Sequence, residues 1–184
     1  MRSPLGQRGV RRRGARLPKR RIPARALLIA LIGDTHLPRG ARRIPQKCLR
    51  LLERAELILH TGDVTAATVL EELEELAPVA AVHGNMDEPA LREALPGRLV
   101  VEAEGLRIGL VHDARGAAGR HARLAAAFPR CDAIAYGHTH IPEVARVGET
   151  WILNPGSPTE RRRAPEHTMI VLEGGEPQLV SLAP

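Results

Sequence analysis

The sequence predicts an α/β layered fold with a mixed sheet system, and three observations carry that prediction. Short apolar runs of strand length, rich in Ile, Leu and Val, recur from residue 26 onward. Segments with apolar residues at helical spacing separate the first three of them. Several further strand-like runs then crowd the last forty or so residues. Alternation followed by a strand-rich end is the pattern of a layered α/β domain.

Taken in order, LLIALI (27–32) reads as a buried first strand. IPQKCLRLLERAE (44–56) follows as a helix, with Leu49, Leu52 and Ala55 on one face. ELILH (56–60) is the second strand. ATVLEELEELA (67–77) is the second helix, its apolar face formed by Val69, Leu70, Leu73 and Leu76. PVAAVH (78–83) gives a third strand, and PALREAL (89–95) a short helix with Asp87 as its cap and Pro89 in its first turn. LRIGLV (106–111) and DAIAY (132–136) are strands flanking a helix over RHARLAAAF (120–128). ARV, TWIL, MIVL and QLVSL, between residues 145 and 182, suggest a run of antiparallel strands. No internal repeat is evident.

A chain of 184 residues can bury a proper core, and with aromatics at 2% that core must be Leu, Val, Ile and Ala. Cys48 and Cys131 stand far apart, as expected of reduced thiols in a cytoplasmic protein. The longest uninterrupted apolar stretch, Ala26 to Ile32, is far too short to span a bilayer, so no membrane association is expected. The formal charge is +6, but residues 1–25 alone hold nine Arg, one Lys and no acid, leaving −4 for residues 26–184. Residues 1–25 therefore read as a disordered basic N-terminal extension, with weak polyanion binding as its expected activity. Residues 26–184 are the expected folded domain.

The strand ends carry the chemistry. LLIALI is followed by Gly33-Asp34-Thr35-His36, ELILH by Gly62 and Asp63, and PVAAVH by Gly84, Asn85, Met86 and Asp87. LRIGLV is followed by His112, and DAIAY by Gly137-His138-Thr139-His140. Sites in α/β sheets assemble at such ends. If these segments are extended, Asp34/His36 and His138/His140 each project to one side. Unpartnered polar groups there would be costly, so the joint pattern points to metal. Mixed carboxylate and imidazole donors suit Mn²⁺, Fe, Co, Ni or Zn²⁺ better than Mg²⁺ or Ca²⁺. Seven donors exceed the need of one tetrahedral ion, so two ions sharing one carboxylate are expected.

The ordered set GDTH, GDV, GNMD, VH and GHTH resembles the calcineurin-like metallophosphoesterase superfamily, and within it the small core-only phosphodiesterases of bacteria and archaea. NPGSPTERRR (154–163) is similar to that subfamily's closing signature. The resemblance implies a four-layer α/β/β/α sandwich of two mixed sheets. It implies Asp34, His36, Asp63 and His140 on one ion, and Asp63, Asn85, His112 and His138 on the other, with Asp63 as bridge. Two divalent ions, Mn²⁺ foremost, would hold a bridging hydroxide for in-line attack on a phosphoester, most often a diester. Asp63, Asn85 and His112 are then the expected catalytic set, Asn85 touching both ion and phosphoryl group. The alternative is a non-catalytic scaffold of the same fold, as in a relative from eukaryotic membrane-coat assemblies. Loss of ligands would favour the scaffold, and every ligand position here is filled.

Other polar residues have plainer readings. His60 and His83 are expected to pack or support, and His121 and His167 to lie at the surface. Asn154 and Ser157 could approach the site or simply make turns, and Arg161 to Arg163 could draw in anions or merely be solvated. Met86 departs from relatives that carry histidine after the asparagine, which removes proton donation there. Asp113 stands where glycine is common and adds negative charge at the mouth. Neither the oligomeric state nor the physiological substrate is readable.

Overall fold

All five residues of β1 (Leu28–Ile32) are buried, because the strand is central to its sheet and covered on both faces. The computed structural model describes residues 28–103 and 105–183, and the basic segment 1–25 lies outside them. After β1 the chain forms α1 (Gln46–Leu52), β2 (Leu57–His60), α2 (Ala67–Glu74), β3 (Val79–Ala81) and α3 (Pro89–Ala94). It continues through β4 (Arg98–Ala103), β5 (Leu106–Val111), α4 (Arg120–Ala127) and β6 (Ala133–Tyr136). The last elements are β7 (Glu143–Val147), β8 (Thr150–Asn154), β9 (Thr168–Glu173) and β10 (Glu176–Ser181).

The strands form two five-stranded mixed sheets, ordered β10-β9-β1-β2-β3 and β4-β5-β6-β8-β7. Alternation along β1 explains the layering. Ile29 and Leu31 face the second sheet and pack with Ile108, Leu110, Ala133, Ala135 and Leu153. Leu28, Ala30 and Ile32 face the other way, against Cys48 and Leu52 of α1 and Leu73 of α2. On the far side of the second sheet, Ile134, Tyr136 and Ile152 pack against Leu124 of α4 and Phe128 just after it. The result is helix, sheet, sheet, helix. Each fully buried Leu or Ile contributes roughly 1.5–3 kcal/mol, and aliphatics dominate all these contacts. Cys48 and Cys131 are free and buried, and burial pushes the Cys48 thiol up to about 12.

Three expectations need correction. The C-terminal strands are not one antiparallel run: β7–β8 and β9–β10 are antiparallel hairpins, but each joins a different sheet, and β8 runs parallel to β6. Strand β4 was not anticipated; its burial alternates exposed and half-buried, and Arg98 and Glu102 break up its apolar signal. Asp87 does not cap α3. The N-cap residue is Glu88, whose carboxylate instead accepts the Ala67 N–H at the start of α2 at 2.8 Å. Asp87 accepts from the N–H groups of Thr65 (2.6 Å) and Gly84 (2.7 Å), tying two site loops together.

Candidate metal centre

Parallel pairing of β1, β2 and β3, and of β5 and β6, places five strand C-termini along one edge of the sandwich. The loops there run side by side. Asp34 N–H donates to the Gly62 carbonyl (2.9 Å), and His36 N–H to that of Asp63 (3.0 Å). The donor-bearing segments are not extended. Asp34, His36, Asp63, His138 and His140 all have left-handed backbones, with φ between 45° and 69°. Such a backbone costs a non-glycine residue on the order of 1 kcal/mol or more, and its occurrence at five of these seven positions marks a site held in place by its surroundings. Two glycines permit the closeness. A Cβ on Gly84 would lie 2.1 Å from Asp63 Oδ1, and one on Gly137 2.9 Å from Asp34 Oδ2.

The side chains converge in two groups. In the first, Asp34, His36 and His140 offer ligand atoms all within 4.8 Å of one another. His36 Nε2 lies 3.2 Å from His140 Nε2, and His140 Nε2 lies 3.3 Å from Asp34 Oδ1. In the second, His112 Nε2 lies 3.0 Å from Asn85 Oδ1 and 3.3 Å from His138 Nδ1, which itself lies 3.0 Å from Asn85 Oδ1. Asp63 Oδ2 stands between the groups, 3.5 Å from His36 Nε2 and 3.4 Å from His112 Nε2. Asp34 also belongs with both, since it groups with Asp63 and His112. His138 and His140 therefore serve opposite ends rather than projecting as a pair.

Hydrogen bonding fixes what these atoms offer. His112 Nδ1–H donates to the Thr61 carbonyl at 2.9 Å, leaving Nε2 with a lone pair. His140 Nδ1–H donates likewise to the Glu160 carbonyl. Two lone-pair nitrogens thus face carboxylate and amide oxygens that have no protons to give. A cation at either place would satisfy several of these acceptors at once. Burial alone would lower the His112 pKa, but the Asp63 carboxylate outweighs it and the net shift is upward. Burial pushes Asp63 up, yet its contacts with His112 and the Met86 N–H outweigh it and hold the carboxyl below its usual range. His36 is lowered, mainly by burial against the raising pull of Asp63 and Asp34. An acceptor-rich, carboxylate–imidazole cluster of this kind fits divalent transition-metal ions.

The remaining polar residues divide clearly. His60 is buried beneath the site: its Nδ1 accepts from Gly62 N–H at 3.1 Å, and its Nε2–H faces Thr35 Oγ at 3.2 Å. His83 lines a cleft beside Asn85, and His121 pairs with Glu143 at 3.0 Å. His167 is half-buried rather than fully at the surface. Asn154 and Ser157 brace the site from behind. Ser157 Oγ donates to the Asp34 carbonyl at 2.7 Å, and Asn154 Nδ2 to that of Gly137 at 3.2 Å. Arg161 bonds the carbonyls of Ala164 and Pro165 instead of facing the cluster. Glu160 was missed as a contributor; apart from its carbonyl, its carboxylate reaches to 3.8 Å from His36 Nε2. Nothing in local sequence distinguishes it from the charged run that follows. Met86 is 50% exposed.

Comparison with known proteins agrees with this geometry. A protein of Methanothermobacter thermautotrophicus described as a probable metallophosphoesterase is 39% identical over 152 residues, covering 82% of this chain and 88% of its own. One of Methanocaldococcus jannaschii, with the same description, is 37% identical over 139 residues, covering 74% and 70%. Among solved structures, Vps29 of Entamoeba histolytica in complex with Zn²⁺ superposes with a TM-score of 0.69 at 27% identity, covering 85% of this chain and all of that one. The family model of the calcineurin-like phosphoesterase superfamily domain matches residues 27–176. With two converging donor groups at the strand ends and that match over most of its length, the chain belongs to the calcineurin-like phosphoesterase superfamily.

Proposed function

We propose that the protein is a metal-dependent phosphodiesterase whose residues would hold two divalent ions to support in-line attack of water on phosphorus. The observation that supports this reading is the pair of acceptor clusters joined by Asp63, whose Oδ2 lies within 3.5 Å of an imidazole from each. Asp34, His36, Asp63 and His140 would hold one ion, and Asp63, Asn85, His112 and His138 the other, Mn²⁺ being the first candidate. When bound, such a pair lowers the pKa of a shared water towards neutrality and offsets the charge of a phosphate.

The chain's own residues set the rest. Carbonyl anchors on His112 and His140 keep their Nε2 lone pairs aimed inward. Asp63 Oδ1 accepts the Met86 N–H at 2.7 Å, so Oδ2 is left for the shared position. Asn85 is exposed and His138 half-buried while the other donors are buried, so a phosphoryl group would approach from that rim. Met86, beside them, has no proton to give the departing oxygen. That favours ester groups able to leave as anions.

The test is hydrolysis of bis(4-nitrophenyl) phosphate and 4-nitrophenyl phosphate by chelator-stripped protein reloaded separately with Mn²⁺, Ni²⁺, Co²⁺, Zn²⁺ and Mg²⁺. Diester cleavage with a transition ion, and about two ions bound per chain, is the expected result. No bound metal and no cleavage of any ester would leave the scaffold reading, to which the Vps29 likeness lends itself. Among the described residues no helix is long and apolar enough to cross a membrane.

A further inference from the structure

A cleft of about 360 Å³ opens directly onto Asn85 and His112. Its lining includes three arginines, Arg92 in the last turn of α3, Arg98 at the start of β4 and Arg115 in the loop after β5. None of the three has a carboxylate within ion-pair distance among the described residues, whereas Arg42, Arg107 and Arg146 do. Asp113 is the single acidic side chain on the cleft, so its lining is cationic by two charges while residues 26–184 together are net acidic. The excess positive charge is local.

Arg115 is held in position. Its backbone is left-handed (φ 56°), and its N–H donates to Asp113 Oδ1 at 2.6 Å. Arg123, on α4, clasps the same loop through the carbonyls of Ala114, Gly116 and Ala118. A buttressed loop presents one arginine to a cavity already lined by two others from separate elements. Arginines without carboxylate partners, lining a space beside a phosphoester site, are suited to a further phosphate, which guanidinium groups can grip through paired hydrogen bonds. No Phe, Tyr or Trp lines the cleft, so it has no stacking platform for a base.

We infer that this cleft receives a second phosphate carried on one arm of the substrate, so that the substrate class is a phosphodiester joined to an already phosphorylated group. The inference rests on the phosphodiesterase reading for the diester itself. Water adds to the bridging phosphorus, one P–O bond breaks, and the departing alkoxide takes a proton from solvent; the second phosphate in the cleft is unchanged. A volume of this order holds a sugar phosphate comfortably. Recognition of the second phosphate is by charge, without stacking on a base.

The experiment measures binding and turnover separately. Isothermal calorimetry on the Mn²⁺-loaded protein compares a nucleoside 3′,5′-bisphosphate, the matching 5′-monophosphate and fructose 1,6-bisphosphate. The same compounds are then tested as inhibitors of bis(4-nitrophenyl) phosphate hydrolysis. The bisphosphates are expected to bind about tenfold tighter than the monophosphate, with an advantage that shrinks as salt rises. The tighter of the two bisphosphates tells a nucleotide source from a sugar source. Arg98→Ala and Arg115→Ala should each remove most of that advantage, while Arg146→Ala, on the far strand β7, should keep it. Equal affinity for mono- and bisphosphates, or an equal loss in Arg146→Ala, overturns the inference. Absence of diester hydrolysis with the binding difference intact would instead overturn the function proposed above and leave the cleft assignment standing.

Discussion

Nε2 of His36 faces Nε2 of His140 across 3.2 Å, with the two rings stacked at 5.0 Å between centroids. Because His140 commits its Nδ1 proton to the Glu160 carbonyl, its facing nitrogen is a lone pair. An ion held there would take up that lone pair and stabilise the native state by its binding energy, about 2.7 kcal/mol at a hundredfold excess over Kd. Thermal unfolding of stripped protein should therefore shift upward on adding Mn²⁺. His140→Ala should lose one equivalent of metal, and Asp63→Ala, at the shared position, should lose both and nearly all hydrolysis. Two full equivalents retained by Asp63→Ala would remove it from the bridge.

Glu160 is expected to tune the same end of the site. Its Oε1 lies 3.0 Å from Arg42 Nη2, while its Oε2 is buried without a hydrogen-bond partner, 3.8 Å from His36 Nε2. Burial raises its pKa, but the Arg42 guanidinium outweighs that and keeps the carboxyl below its usual range, hence ionised. Glu160→Gln preserves the carbonyl that orients His140 and removes only charge. Metal affinity at that end should fall about tenfold, as for other residues supporting a ligand. Titration of Mn²⁺ followed by electron paramagnetic resonance reads this without turnover, and unchanged affinity would rule the carboxylate out.

Met86→His tests proton transfer. General acid assistance contributes about 10²–10⁴-fold, chiefly for poor leaving groups. The residue is half exposed, so the change leaves the core intact. The wild type should cut aryl diesters much faster than alkyl diesters of similar size, and the variant should gain on the alkyl substrate while changing little on the aryl one. A uniform loss on both at full metal occupancy would show that position 86 has no part in proton transfer.

His60 sets a pH limit on the metal-free fold. Burial lowers its pKa to about 4, against 6.5 for the free side chain. A neutral imidazole is thus required by the fold, and the unfolded chain binds the extra proton. The contribution is complete above pH 6.5 and is lost as pH falls towards 4, roughly 3 kcal/mol in all. His112, whose pKa is raised, works in the opposite sense and loses its contribution as pH rises. Urea midpoints of stripped protein should fall between pH 6.5 and 4.5. His60→Gln should be less stable at pH 8 but show a shallower acid slope; an identical slope would reassign the effect.

Much of the layered fold was legible because β1, β2, β5 and β6 are nearly continuous apolar runs, which burial on both faces demands. Strand β4 escaped notice because a sheet edge tolerates Arg98 and Glu102. The candidate donors were legible as residue types at strand ends. Their presentation was not, since left-handed φ at Asp34 or His140 comes from packing between loops rather than from the residues' own preferences. Ser157 and Glu160 illustrate the remaining gap. Each acts on a partner more than a hundred positions away, Asp34 in one case and His36 in the other, and no local pattern encodes such a meeting.

The donors divide between the sheets: Asp34, His36, Asp63 and Asn85 follow strands of the first, while His112, His138 and His140 follow strands of the second. An ion gripped by both would work as a rivet through two leaves at one end, while elsewhere the leaves are joined by apolar packing such as that of Ile29, Leu106 and Ala133. Opening of the sandwich would then be directional, starting away from the rivet. Amide exchange in metal-loaded protein should slow most at Ile32, His60 and Val111, and least at the far ends of the same strands, so that occupancy of the centre is read out as a gradient along the sheets.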